Sequence, residues 1–103
     1  MSEERYRSES QQRILRVLFA LAGHEVNGLA PGEIAKGLSI SPSQVTHDLA
    51  NLKIAGAAEE IPELKRWRLT PRIPQIAVAM LTRLDRDAKR LEEVRQRFTR
   101  DHK

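Results

Sequence analysis

The sequence predicts a mainly α-helical fold with one small two-stranded β-hairpin. Apolar residues recur at helical spacing in four segments, and a short stretch before the fourth segment alternates apolar and polar residues as paired strands do. Apolar residues make up 40% of the chain and aromatic residues only 4%. We therefore expect a core of Leu, Ile, Val and Ala. At 103 residues, the length fits one domain with an appended element.

The first helix is expected to begin near Ser8 or Ser10 and to end at Ala22. Ser10 suits an N-cap because its hydroxyl can accept a hydrogen bond from an amide of the first turn. Apolar residues between these ends follow the helical period. Arg13 and Arg16 are expected on the outer face of this helix.

The second and third helices are separated by a sharp turn. The second helix is expected to begin near Pro31. Gly37 is expected to let the chain turn tightly, with Ser39-Ile40 as the turn. Ser41 followed by Pro42 marks the start of the third helix, which is predicted over residues 42–55. Two such helices and their turn form a helix-turn-helix, whose second helix fits the DNA major groove.

The third helix is expected to bury one side and expose a polar one. Val45, Leu49 and Leu52 recur at i, i+4 and i+7, so they are expected to face the core. Gln44 can form two hydrogen bonds with adenine in the major groove; the alternative is an ordinary solvent-exposed helix residue. The exposed side is predicted to comprise Ser43, Gln44, Thr46, His47, Ala50 and Asn51.

Residues 58–69 are predicted to form a hairpin of two short strands with its tip at residues 62–65. Trp67 and Leu69 alternate with Arg66 and Arg68, so the apolar pair is expected to face the core. A helix-turn-helix followed by this hairpin is a winged helix, which we assign to residues 8–71.

Residues 72–100 are predicted to form a long helix. Leu81, Leu84, Ala88, Leu91 and Phe98 follow the alternating three- and four-residue steps of a coiled-coil seam, which Arg95 interrupts. A helix of about 40 Å is longer than a small three-helix domain can cover. We therefore expect a homodimer through these five residues; the alternatives are a solvated tail or a helix folded back on the first one.

Several chemistries have no support in the sequence. There are no cysteines, and His24, His47 and His102 lack the spacing of metal ligands, so no metal or other cofactor is expected. No nucleophile elbow or glycine-rich phosphate loop occurs, which argues against an enzyme. No apolar run reaches the roughly 18 residues of a membrane span, and the N-terminus has no signal-peptide core. We expect a cytoplasmic protein without membrane contact.

The positive charge is concentrated in the second half of the chain. The whole chain carries 18 basic and 14 acidic side chains, for a net charge of +4. Residues 1–56 hold six of each sign, and residues 57–103 hold twelve basic and eight acidic. A basic surface favours polyanions such as DNA, because binding releases condensed counterions; the alternative is a solvated arginine-rich helix.

Six segments match the pattern of known regulators, and they are residues 14–18, 29–35, 41–47, 49–52, 56–58 and 67–70. On these residues the chain resembles the winged helix-turn-helix domain of IclR-type transcription regulators, and it is also similar to MarR-type regulators. The resemblance covers most of the chain. It implies that the third helix binds the DNA major groove and that the hairpin, or wing, contacts phosphates. Because the sequence ends at Lys103, we expect no IclR-type effector domain, and no small-molecule effector is implied.

The resemblance places the DNA contacts on the third helix and the wing. The predicted set is Ser41, Ser43, Gln44, Thr46, His47 and Asn51 on the helix, and Lys65, Arg66 and Arg68 on the wing. Together these observations predict a sequence-specific regulator that binds double-stranded DNA as a dimer, with half-sites about 34 Å apart. The alternative is a winged-helix protein-interaction module, which the neutral helix-turn-helix and the acidic first wing strand favour.

Overall fold

A computed structural model describes residues 2–100. A short 3-10 turn, Glu3–Tyr6, precedes helix α1 (Glu9–Leu21), α2 (Pro31–Leu38) and α3 (Pro42–Ile54). Strands β1 (Ala58–Ile61) and β2 (Arg66–Leu69) pair antiparallel, and α4 (Arg72–Arg100) follows. The chain divides into two compact units, Met1–Arg72 and Ile73–Lys103. The mainly α fold with a two-stranded wing and a long C-terminal helix is confirmed.

The first unit closes around a small aliphatic core. Three helices and β1 supply its buried side chains, which suits a sequence rich in aliphatic and poor in aromatic residues. The wing covers one edge, since Trp67 and Leu69 pack against the core as their alternation predicts. The buried apolar residues are Val17, Leu21, Ile34, Ala35, Val45, Leu49, Leu52 and Ala58.

Two local predictions were wrong. Helix α1 is capped by Ser8, whose Oγ accepts the Gln11 amide at 3.3 Å, and Ser10 lies inside the helix. The turn after α2 falls at Ser39, as predicted, with φ 57° and ψ 47°, but Gly37 continues the helix and takes no part in the turn. A single serine can take this left-handed conformation at modest cost when the surrounding fold fixes the turn.

A third backbone segment joins the wing. Leu29 and Trp67 exchange both amide hydrogen bonds, each at 2.8 Å, so the loop before α2 forms an isolated bridge to β2. Gly28 has φ +70°, and a Cβ there would lie 2.8 Å from the Trp67 carbonyl oxygen. The contact therefore requires glycine, both for the left-handed backbone and for the close approach.

Helix α4 lies almost entirely in the second unit. Its 29 residues span about 43 Å at 1.5 Å per residue. It buries no side chain, and its apolar stripe is exposed, with Leu84 62%, Leu91 64% and Phe98 71% accessible. Within residues 2–100, no helix combines the length and the apolar character that crossing a membrane requires.

Candidate nucleic-acid interface

Helix α3 begins with a reciprocal pair of hydrogen bonds. The Ser41 hydroxyl accepts the Gln44 amide at 3.2 Å, and the Gln44 side-chain oxygen accepts the Ser41 amide at 3.0 Å. With Pro42 at the first helical position, this capping box fixes where the helix starts. The Gln44 oxygen is therefore engaged in the fold, and the side-chain NH₂ group is left for an external acceptor.

Other polar residues of α3 also bond locally. The Thr46 hydroxyl donates to the Pro42 carbonyl at 3.0 Å, the Asn51 amide donates to the His47 carbonyl at 2.9 Å, and the Ser43 and Ser41 hydroxyls lie 3.2 Å apart. These side chains are exposed. The bonds restrain their rotamers but leave acceptor oxygens on Thr46 and Asn51. The structure thus brings the predicted helix residues onto one accessible surface, while their contact with DNA stays a prediction.

The acidic residue of α3 is removed from that surface. Asp48 is 2% exposed and receives two hydrogen bonds from Arg13 of α1, at 2.7 and 2.8 Å. The hydrogen bonds and the charge of Asp48 raise the pKa of Arg13 above its ordinary value, against a smaller effect of desolvation. Arg13 was expected on the outer face of α1, and this prediction was wrong because its guanidinium crosses to α3.

Sequence reasoning missed the role of Asp48, although a signal was present. Asp48 lies three residues after Val45 and four before Leu52, so it falls on the inward stripe of α3. A carboxylate at such a position needs a cation, and Arg13 occupies a comparable place on the helix that packs against it.

His47 borders a shallow cleft between α1 and α3. Its side chain is 72% exposed, with Nδ1 3.7 Å from an Asp48 carboxylate oxygen. The cleft has a volume of about 190 Å³ and is lined by Ser10, Gln11, Arg13, Ile14, His47, Asp48 and Asn51. Its open form makes His47 and Asn51 accessible from outside.

The three cations assigned to the wing have different environments. Arg66 donates to the carbonyls of Asn27 and Gly28 at 2.8 and 3.0 Å and lies 3.1 Å from the Glu33 carboxylate. Arg68 pairs with Glu59 at 2.8 Å across the two strands. Both arginines are half-buried, so they stabilise the wing, and their expected contact with phosphate stays a prediction.

Lys65 at the wing tip differs from the two arginines. Its backbone amide donates to the Ile61 carbonyl at 3.1 Å. Its side chain is exposed and forms no hydrogen bond or ion pair with any residue in the range 2–100. Its φ of 53° lies in the left-handed region and closes the turn between the strands. Of the three predicted wing cations, Lys65 alone offers its whole charge to an external anion.

Glu33 links the start of α2 to the wing. Its carboxylate accepts the Ala30 amide at 2.8 Å, in the manner of a capping box, and lies beside Arg66. The Ala30 hydrogen bond, more than the charge of Arg66, holds the pKa of Glu33 below its ordinary value. The wing and the helix-turn-helix are therefore connected by the Glu33–Arg66 ion pair as well as by the backbone hydrogen bonds between Leu29 and Trp67.

The described residues offer no metal centre. In the range 2–100, no three His, Cys, Asp or Glu side chains lie together as a metal ion would require. His102, the third histidine considered above, lies outside the described residues.

The comparisons with known proteins support the fold. The chain is similar in fold to Cyprinid Herpesvirus3 ORF112-Zalpha, whose solved structure describes how that protein binds Z-DNA. The TM-score is 0.54, with 24% identity over 61% of this chain and 100% of that chain. It is also similar to a mutant of S. aureus MepR bound to an oligodeoxyribonucleotide, with a TM-score of 0.47 and 23% identity over 86% of this chain and 66% of that chain. No family model and no curated protein match. The first likeness confirms the winged-helix fold, and the IclR-type assignment stays a prediction.

Proposed function

We propose that this protein is a transcriptional regulator that binds double-stranded DNA in a sequence-specific manner and acts as a homodimer. Helix α3 enters the major groove, and the wing lies along the phosphates. The observation that carries the proposal is the accessible surface of α3. It presents hydroxyl, amide and imidazole groups, while its carboxylate, Asp48, is buried against Arg13.

The burial of Asp48 bears directly on DNA binding. An exposed carboxylate in the centre of a groove-binding helix would be repelled by the phosphates on both sides. Held at 2.7 Å by Arg13, it is neutralised before DNA arrives. The remaining groups are donors and acceptors of the kind that read base edges: the Gln44 NH₂ group, the Thr46 hydroxyl and the His47 ring.

The homodimer is supported by the exposed apolar stripe of α4. Leucines and a phenylalanine that are more than half exposed along one helix are unusual for a monomer in water. A second copy supplies an equal stripe and allows two α3 helices to engage one DNA duplex.

A protein-interaction module is the second candidate, and the charge of the surface favours it. The exposed side of α3 carries one permanent cation, Lys53, and two of the three predicted wing cations are engaged inside the fold. Most DNA-binding surfaces hold more positive charge than this.

A salt titration separates the two candidates. Fluorescence anisotropy with random double-stranded DNA, at about 50 and 200 mM salt, is expected to show binding that weakens roughly 10³-fold between them, as several phosphate contacts require. A folded protein that binds at neither salt would contradict the proposal and favour the protein-interaction module.

The role of α3 is tested by Gln44→Glu. Glutamate keeps the side-chain oxygen that caps Ser41 and suits the helix N-terminus, so the melting temperature is expected to stay the same or rise. Its charge faces the DNA, so Kd is expected to rise at least about ten-fold. Gln12→Glu on the exposed side of α1 makes the same charge change and is the control. If Gln44→Glu and Gln12→Glu bound DNA with equal affinity, α3 would not be part of the DNA interface.

A further inference from the structure

The distal half of α4 presents one exposed face centred on Leu91. Residues three, four and seven positions away from Leu91, in both directions, lie on the same side of a helix. We call them the Leu91 face, and they are Leu84, Asp87, Ala88, Leu91, Val94, Arg95 and Phe98. All seven are exposed, and two of them carry opposite charges.

The residues of this face are complementary on the two sides of Leu91. Counting outward from Leu91, Ala88 corresponds to Val94, Asp87 to Arg95 and Leu84 to Phe98. Apolar residues thus mirror apolar ones, and the acid mirrors the base. Charged residues outside the face are also opposite in sign at equal distances from Leu91. They are Lys89 and Glu93, Arg90 and Glu92, and Asp85 and Arg97.

We propose that α4 pairs in an antiparallel manner with α4 of a second copy, with the two-fold axis at Leu91. This inference rests on the proposed homodimer and gives it an orientation and a register. In such a pair, residue 91 + n of one helix lies level with residue 91 − n of the other. Each Asp87 then lies opposite Arg95 of the second copy, and the symmetry forms this ion pair twice.

The antiparallel arrangement explains the two charged residues within the apolar face. Arg95 breaks the coiled-coil seam, and Asp87 lies just beside it. Arg95 lies 3.6 Å from Glu92 of the same helix, but both side chains of that pair are more than half exposed. An apolar partner would therefore desolvate Asp87 and Arg95 at a cost that opposes association. Opposite each other and flanked by Leu84 and Phe98, they satisfy one another and fix the register, as polar residues do in helix pairs.

A parallel pair of α4 helices does not bring opposite charges level with each other. With the helices in parallel register, every residue lies level with its own copy. Asp87 would face Asp87, and Arg95 would face Arg95, so each charge on the face would meet a like charge. Opposed like charges destabilise an interface. Charge complementarity therefore selects the antiparallel orientation.

Cysteine cross-linking tests the orientation, because the chain contains no cysteine of its own. Leu84→Cys and Phe98→Cys are prepared separately, one of them with a size tag, and oxidised alone and mixed. The antiparallel pair predicts a disulfide in the mixture and none in either variant alone, since only positions 84 and 98 lie level. A disulfide formed by each variant alone would overturn the proposal in favour of a parallel pair.

A charge exchange tests the Asp87–Arg95 contact by sedimentation equilibrium. Asp87→Arg or Arg95→Asp is expected to raise the dimer Kd at least about ten-fold, because each creates two like-charge contacts. The double exchange is expected to restore Kd to within about three-fold of the original. Arg86→Asp, which lies off the Leu91 face, is the control and should leave Kd unchanged.

The outcomes separate the orientation from the homodimer itself. A wild-type chain that sediments as a monomer would overturn both. A wild-type dimer that is insensitive to both single exchanges would overturn the antiparallel register alone. DNA binding is measured independently, so neither result depends on it.

Discussion

At the scale of single residues, the Arg13–Asp48 pair ties α1 to α3. The Asp48 side chain is 2% exposed and the Arg13 side chain is 16% exposed, so the pair lies at the edge of the core. Its two hydrogen bonds have the parallel geometry in which arginine recognises a carboxylate best. The pair therefore fixes the position of α3 against α1. It also leaves the exposed side of α3 without negative charge.

Removing Asp48 is expected to destabilise the fold strongly. Asp48→Ala leaves Arg13 without its partner, and we expect the melting temperature to fall by about 10 °C. The double variant Arg13→Met/Asp48→Leu replaces the pair with apolar side chains and is expected to recover most of the loss. Thermal unfolding followed by circular dichroism measures both. A single variant that melts within about 2 °C of the wild type would show that the pair contributes little.

Gly28 is the second residue with a consequence for stability. Gly28→Ala forces a side chain into the left-handed region and against the Trp67 carbonyl, so the free energy of unfolding is expected to fall by about 2 kcal/mol. Gly37→Ala is the matched control. It lies in α2 with open space around it, and we expect a gain of about 0.5–1 kcal/mol. Urea denaturation compares the two, and equal effects would contradict the assigned role of Gly28.

At the scale of elements, Glu33 couples α2 to the wing in a manner that depends on pH. Because folding lowers its pKa, the carboxylate stabilises the fold above the ordinary value of 4.5. That contribution disappears as the pH falls through the lower pKa of the folded state. Glu33→Gln keeps an acceptor for the Ala30 amide but loses the charge.

We therefore expect Glu33→Gln to be less stable than the wild type near pH 7 and to approach it near pH 3. Urea unfolding at several pH values tests this. Glu60→Gln, an exposed wing position that forms no ion pair with residues 2–100, is the control. A stability difference between Glu33→Gln and the wild type that does not change with pH would assign the role of Glu33 to its hydrogen bond alone.

The wing shows how much of an element a sequence pattern specifies. Alternation around Trp67 predicted both strands with the bounds that the structure has. The same alternation put Arg66 and Arg68 on the outer side, and the resemblance to known regulators implied that they contact phosphate. The register of the hairpin puts Glu59 level with Arg68, so that ion pair follows from the predicted strands. The carbonyls of Asn27 and Gly28 that bind Arg66 come from a separate segment, and no pattern within the wing reveals them.

In the whole molecule, the proposed DNA binding and the proposed dimerisation belong to different units. The first unit holds the accessible surface of α3, and α4 holds the Leu91 face. Two linked copies bind one duplex more tightly than one copy does, because the second contact becomes intramolecular.

Leu91→Glu tests this link. Two carboxylates would meet at the two-fold axis, so the chain is expected to be monomeric by sedimentation. Its affinity for a duplex with two half-sites, selected from random DNA, is expected to fall about 100-fold. Thr82→Glu makes the same charge change on the opposite side of α4 and should bind as the wild type does. Full affinity from a monomeric Leu91→Glu would show that DNA binding does not need the dimer.

The sequence by itself determined the elements of this protein. The spacing of apolar residues, Ser41-Pro42 and the alternation around Trp67 specify four helices and a hairpin, because these signals act within a few residues of each other along the chain. The tertiary structure alone decided which polar groups are available. Arg13, Asp48, Arg66 and Gly28 owe their roles to partners from elsewhere in the chain. Periodicity can place Asp48 on the inward side of α3, but only the packing of separate segments brings Arg13 to it.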